Sequence, residues 1–397
     1  MIIIKNAMLI SMAETNYEKS DIAIEGSRIL EIATAIDPEK YQNATIINAK
    51  RRFVTPGIVD PHCHIGIMEE IIKEGNDTNE MTNPILPELR ALDGINPQDG
   101  AYQAALEDGV TTVVIGPGSA NPIGGVFTIM KTHGKTLEDM VINPESAIKM
   151  ALGENPKRVY GSKDKTPSTR MGTAALIRET LYKAREYHKK IKEYENAIKD
   201  GKNDVKQPDF NLKYHSLMRV FDGMLVKIHA HRADDIMTAI RFKEEFGLKM
   251  TIEHCTEGHL VADKLAKHKV GCIIGPTLTS KSKPEVANKT FKSAKILSDN
   301  NVQFAIMTDH PVICLEDTML QLGRFVREGL DELEALRAVT KYAAEINEID
   351  DKVGTIEVGK DADIVIWSHH PLHHMAKPDM VFVNGELVVQ NKNPKKP

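Results

Sequence analysis

Thiols are scarce in this sequence: its 397 residues include only Cys63, Cys255, Cys272 and Cys314, and no Cys-x-x-Cys pair. So few cysteines in so long a chain exclude a disulfide framework. Long apolar runs are also missing, which excludes a membrane-spanning helix. The N-terminal Met1-Ile-Ile-Ile-Lys5 has neither the long apolar stretch nor the small-residue cleavage site of a secretion signal. A strong charge of either sign is absent too. The formal net charge of −5 gives no basic surface for nucleic acid. The Lys-rich stretch from Tyr187 to Lys206 is interspersed with Glu and Asp and reads as a solvated helix face. No glycine-rich dinucleotide fingerprint is present, since Gly116-Pro-Gly118 and Gly124-Gly125 lack a strand–turn–helix context. What remains is an ordinary globular composition, 41% hydrophobic and 27% charged, expected in a reducing cytoplasm.

The two ends of the chain share one texture and the middle has another. Met1–Ile4, Ile22–Ile24 and Ile29–Ile32 read as short strands. Ala362–Trp367 and Met380–Gly385 repeat that pattern, the second closing on an Asn-Gly turn. A small β-sandwich-like domain built from residues 1–52 and 351–397 follows. Between them, short apolar strands alternate with amphipathic helices, the signature of βα units. The predicted strands are Phe53–Val59, Thr111–Ile115, Val126–Met130, Ala147–Leu152, Leu225–His229, Met250–His254, Val270–Ile274 and Phe304–Thr308. Helices are expected over Ala174–Lys199 and Ala233–Phe246, and loops over Tyr160–Arg170 and Gly201–Ser216. Eight units fit a (β/α)8, TIM-like barrel over residues 53–350 better than an open sheet.

Catalytic side chains of such barrels come from the C-terminal ends of the strands. His62-Cys63-His64 follows the first strand, His229 and His254 close two others, and Asp309 closes the last. His-x-His on extended backbone puts both imidazoles on one face and turns Cys63 away. A single buried histidine is usually structural. Four of them and an aspartate, each closing an apolar strand, are better explained as a ligand set, because a buried imidazole without a partner is costly. Neutral imidazole with carboxylate suits a borderline divalent ion such as zinc.

These motifs resemble those of the amidohydrolase superfamily, and within it the imidazolonepropionase-related branch. The carrying segments are Val54-Thr-Pro-Gly-Ile-Val-Asp-Pro-His-Cys-His64, Val226-Lys-Ile-His-Ala-His231, Ile252-Glu-His254 and Met307-Thr-Asp309. A further one, Val353-Gly-Thr-Ile-Glu-Val-Gly-Lys-Asp-Ala-Asp-Ile-Val-Ile-Trp367, resembles the family's return into its small β domain. The resemblance implies one or two divalent metals, held by His62, His64, His229 and Asp309. His254 is then either a second-metal ligand or a substrate-side residue. It also implies hydrolysis of a C–N bond in a small cyclic or linear amide. Deamination, N-deacylation and dipeptide cleavage are the alternatives, and a metal-free scaffold of the same fold is the non-enzymatic one.

Around this set, Glu154 follows the fourth predicted strand and is expected to ligate, bridging two metals in place of a carboxylated Lys227 or Lys149. Arg170 is expected to clamp a substrate carboxylate, with His231 and Arg232 lining the pocket. Asp309 is the expected general base, with His254 or His229 polarising the carbonyl. His259 and His310 are weaker candidates. His369-His370 and His373-His374 read as loop histidines. The expected partner is a small molecule, with no nucleic acid or membrane, in a chain free to form homo-oligomers.

Overall fold

The structure is a computed structural model that describes residues 1–13, 18–69, 75–202 and 204–391. Two eight-stranded sheets organise it. The first draws on both ends of the chain: β1 (Ile2–Leu9), β2 (Glu18–Glu25), β3 (Arg28–Ala33), β4 (Thr45–Asn48) and β5 (Phe53–Pro56) come from the start. The second sheet holds β6 (Ile58–Cys63), β7 (Val110–Ile115), β8 (Ile123–Lys131), β9 (Val141–Ala151), β10 (Leu225–Ala230), β11 (Met250–His254), β12 (Gly271–Ile274) and β13 (Phe304–Ile306). The end of the chain then returns to the first sheet as β14 (Ile364–Trp367), β15 (Pro378–Val383) and β16 (Glu386–Gln390). Its order is β16-β15-β14-β5-β1-β2-β3, with β4 on β1.

The predicted strand Phe53–Val59 is two strands. β5 pairs with β1 and β14 in the first sheet, and β6 pairs with β7 in the second. The break falls at Gly57, where a Cβ would stand 2.0 Å from Thr111 Oγ1, so no other residue fits. Hydrogen bonds at this junction tie the sheets together. Gly57 N–H donates to Asp363 O, and buried Lys131 Nζ reaches Asp363 Oδ2 at 2.6 Å and Asp361 Oδ2 at 3.0 Å.

The second sheet curls into a nearly closed barrel. Its outer strands come together where Asp60 Oδ2 accepts from Thr308 N–H at 2.9 Å and Oγ1 at 2.6 Å, and His64 N–H donates to His310 O. The eight-unit repeat expected from the sequence is corrected in one place. β8 runs antiparallel to both β7 and β9, while the remaining pairings are parallel. The segment 116–140 is therefore a hairpin and return, with no crossover helix between β7 and β8. Helices Arg170–Lys199 and Ala233–Phe246 lie where the apolar spacing predicts helix, the first starting four residues early at the Thr169 cap. The predicted loops are partly helical, with Glu154–Gly161 and Leu212–Met218 entering them.

Strand alternation sorts the barrel residues. Leu225, Lys227 and His229 share one face of β10, as Ala147, Lys149 and Ala151 share one face of β9. The lower interior is an apolar floor of Val59, Val114, Phe127, Ile129, Ala147, Leu225 and Ile273. A charged layer of Lys149, Lys227 and Glu253 sits above it, each at most 1% exposed. Both ammonium groups lie over the Phe127 ring, at 5.4 and 5.5 Å from its centroid. A larger apolar shell packs between the barrel and its helices.

Candidate metal centre

Above the charged layer, the C-terminal strand ends converge as the sequence predicts. His62, His64 and Asp309 form one group of potential ligand atoms, and His229, His231 and His254 form a second. Within each group the atoms lie within 4.8 Å of one another. All six residues are buried, and His62 and His254 have ring centroids 6.0 Å apart, so the groups adjoin.

The neighbours of each imidazole fix its tautomer. His62 Nδ1 is 2.5 Å from Glu253 Oε2, and a carboxylate can only accept, so Nδ1 carries the proton. His64 Nδ1–H donates to Gly116 O at 2.7 Å and His254 Nδ1–H to Gly275 O at 3.0 Å. Each ring thereby turns an Nε2 lone pair toward the centre, as ligating histidines held by outer partners do. His229 has no hydrogen-bond partner at either nitrogen although it is 1% exposed. An orphan of that kind suits a nitrogen that binds a cation.

Two of the candidate ligands depend on unusual backbone. Thr251 and Glu253 share a face of β11, so alternation alone would send His254 the other way. A φ of 69° at His254 turns it back, and Asp309 has a φ of 56°. Left-handed backbone at non-glycine residues is disfavoured, costing on the order of 1–3 kcal/mol each, and it clusters at functional sites.

Electrostatics suit a cation. Burial, reinforced by Lys149, holds His62 well below its ordinary value, and burial lowers His229 and His231 and brings His254 to about 4. These rings are thus neutral, the form that binds metal. Burial pushes Asp309 upward, but the imidazoles of His254, His64 and His62 more than offset it and keep the carboxylate ionised. Asp309 Oδ1 is 3.3 Å from His64 Nε2 and 3.7 Å from His62 Nε2. The donor set therefore fits one or two divalent ions: neutral nitrogen donors, one carboxylate, and orphaned lone pairs in a buried group.

Several expectations need correction. Glu154 joins neither ligand group. Gly153, with φ 84°, turns the chain away after β9, and Glu154 becomes the first residue of a helix whose N–H donates to Glu285 Oε2 at 2.9 Å. A Cβ on Gly153 would lie 2.7 Å from that same oxygen. The lysine that reaches the centre is Lys149, with Nζ 3.1 Å from His62 Nε2. Lys227 instead faces Pro61 O and Glu253, at 3.3 and 3.6 Å. Arg170 lies off the cavity, paired through Nε with both Asp235 oxygens at 3.1 Å. Arg232 is exposed and bonded to Asp234. His231, expected as a pocket residue, sits among the ligands, its Nδ1 2.8 Å from Thr256 Oγ1. His310 is buried beside the centre, and His259 bonds the Thr256 carbonyl. His369, His373 and His374 stack on one another in the first sheet's connection, apart from the centre.

The centre opens into a cavity of about 520 Å³. His64, Lys149, His229, His231, His254 and Asp309 line its base. Sequence reasoning missed Arg158 on its wall, one turn beyond Asn155 on the helix Glu154–Gly161. The signal was the i, i+3 spacing of two polar residues just before the expected loop Tyr160–Arg170.

With this geometry described, the chain can be set beside known proteins. The sequence profile of the amidohydrolase family matches residues 53–390. Amidohydrolase tasK of Hapsidospora irregularis is 29% identical over 388 residues, which cover 92% of this chain; the chain spans 39% of that relative's length. The imidazolonepropionase of Cupriavidus taiwanensis is 25% identical over 389 residues, 87% of this chain and 84% of that protein. A solved amidohydrolase from Thermotoga maritima MSB8 superimposes with a TM-score of 0.93 at 39% identity, covering 98% of this chain and 100% of that one.

Proposed function

Because the chain belongs to the amidohydrolase family, we propose that it hydrolyses an amide C–N bond in a small molecule at a centre of one or two divalent ions, zinc by ligand preference. The observation that carries this reading is the pair of adjoining ligand groups, His62/His64/Asp309 and His229/His231/His254, at the base of one cavity. A divalent ion held there polarises a carbonyl and makes hydroxide available near neutral pH.

The chain's own residues supply the rest. Asp309, ionised and facing the cavity, accepts the proton of the attacking water and returns it to the leaving nitrogen. Glu253 holds His62 in the tautomer that ligates, and Asp60 fixes the first strand end by accepting from His62 N–H at 2.9 Å while binding Thr308. His231 completes the second group or polarises the substrate carbonyl from the cavity side. With metal bound, Lys149 carboxylated to a carbamate would supply a carboxylate ligand. Its neutral amine attacks carbon dioxide, an N–C bond forms, and one proton leaves to solvent. Its position against His62 between the two groups favours it over Glu154 and Lys227.

Elemental analysis with a hydrolysis panel of lactams, hydantoins, imidazolones, N-acyl amino acids and dipeptides tests the proposal. Purified protein should carry one or two equivalents of divalent metal and hydrolyse at least one class. The double variant His62→Ala/His64→Ala should lose most of both. Full metal retention in that variant, or turnover that survives complete chelation, refutes it.

A further inference from the structure

The cavity wall carries more positive charge than the metal centre can use. Among the described lining residues, Lys149, Arg158, Lys283 and Lys289 are cationic and Asp309 is the carboxylate. Lys149 and Asp309 belong to the centre, and Lys283 is answered by buried Glu285, whose Oε1 is 2.6 Å from its Nζ. Arg158 and Lys289 are not answered. Lys289 is held by neutral oxygens, donating to Thr279 O at 2.7 Å and Ser280 O at 3.1 Å. The Arg158 side chain, exposed on the cavity wall, makes no hydrogen bond or ion pair with any described residue.

These groups form one wall although they come from distant parts of the chain. Arg158 stands on the helix after β9, and the lysines follow β12. Glu285 ties the two segments by accepting from Glu154 N–H, and Lys283 Nζ reaches Asn155 Oδ1 at 3.4 Å. Arg158, three residues on from Asn155, shares its face of the helix. Cations beside a site built for divalent metal repel what that site holds. They lower the energy of a complex only when an anion enters with the substrate.

We propose that the substrate is an amide that also carries a carboxylate, which Arg158 receives through its planar fork with Lys289 beside it, so that this wall selects acidic over neutral amides. The proposal rests on the reading of the cavity as a hydrolytic site and adds a substrate class to it. Arg158 and Lys289 are thereby specificity residues, outside the ligand set. The remaining wall, with Asn76, Asn79, Ser119 and Asn155, offers neutral polar groups for the amide portion.

Matched ligands test it. N-acetyl derivatives of glycine and leucine are compared with their neutral α-carboxamides, and N-acetylaminoethyl phosphate serves as an anion of the other kind. Binding is measured by calorimetry on metal-loaded and on chelated protein, and kcat and KM on the loaded protein. The acids should bind at least about tenfold more tightly than the carboxamides. Arg158→Gln and Lys289→Gln should each remove most of that preference, raising KM for acids with kcat nearly unchanged and leaving the carboxamides unaffected. Equal binding of acid and carboxamide overturns the proposal, as does an undiminished preference in both variants. Tighter binding of the phosphate than of every acid overturns the assignment to a carboxylate. Failure of all turnover would sink the proposed hydrolysis, but the calorimetric comparison would still decide the anion preference.

Discussion

Replacing Glu253 with Gln separates a folding role from a metal-binding role. Glu253 is fully buried, accepts from His62 Nδ1–H, and also holds Thr251 Oγ1 at 2.5 Å and Lys227 Nζ at 3.6 Å. The amide keeps the shape but removes the charge. Lys227 then lies in the barrel interior with Pro61 O as its remaining close partner, and breaking a buried pair from one side costs about 3–5 kcal/mol. Burial already pushes the Lys227 ammonium down, with Glu253 pulling it back, so part of that cost is relieved by deprotonation. A loss near the lower end of the range is expected. Independently, His62 loses the partner that fixes its tautomer, and lost outer partners of this kind weaken metal binding by about 10–100-fold. Adding Lys227→Met removes the orphaned charge while keeping volume. The double variant should regain most of the stability and none of the metal affinity. Urea unfolding of chelated protein measures the first quantity and competition with a chelating dye the second. If metal affinity is unchanged in Glu253→Gln, or returns together with stability in the double variant, the orienting role is wrong.

Three further outcomes follow from the same geometry. Asp309→Asn should keep the fold and lower the rate at least about a hundredfold, as expected for a lost general base, and near-normal turnover would remove it from that role. Glu154→Gln should leave the metal count intact while Lys149→Met lowers it, and intact-mass measurement under non-acidic conditions should show one added carbon dioxide on wild type only; the reverse pattern would restore Glu154 as the bridge. For chelated protein, stability should fall on acidification. Burial lowers His254 and His310 to about 4 and depresses His62, His229 and His231, so the unfolded chain takes up protons that the folded chain refuses. Stability is thus complete above about pH 6.5 and drains as pH falls toward 4, by on the order of 3 kcal/mol for His254 alone. Asp60 and Asp108, raised to about 6 by burial, oppose this over pH 6–4 but number fewer. Urea midpoints that stay flat or rise between pH 7 and 5 would contradict it.

The sequence exposes what burial and periodicity control and hides what direction and local backbone control. His62, His64, His229, His254 and Asp309 were legible because each closes an apolar strand where an imidazole or carboxylate has no packing purpose. The reversal of β8 was not, since a fully buried strand such as Ile123–Lys131 has the same apolar pattern whichever way it runs. Glu154 looked like a strand-end ligand because Gly153 conceals the turn that carries the chain away. His231 reads as lining the pocket because its face depends on whether extended backbone continues past Ala230. Lys149 and Lys227 are equally undiagnostic in sequence, and only the partners across the barrel distinguish them. Arg170 reads as an anion clamp on paper, and only Asp235, sixty-five residues on, shows it paired away from the cavity.

The reversed strand also decides where this chain can be lengthened. Because β8 runs downward, its two connections lie at opposite rims. The short link from β7, residues 116–122, stays at the catalytic mouth, where Gly116 O holds His64 and Ser119 meets the cavity. The link to β9, residues 132–140, emerges at the rim shared with the first sheet, where His133 approaches Glu386. A peptide tag or reporter domain spliced at Lys135, which is exposed, would hang from the far end of the barrel and leave the mouth open. The same cargo at Ser119 would sit over the entrance and pull on the carbonyl that orients a ligand.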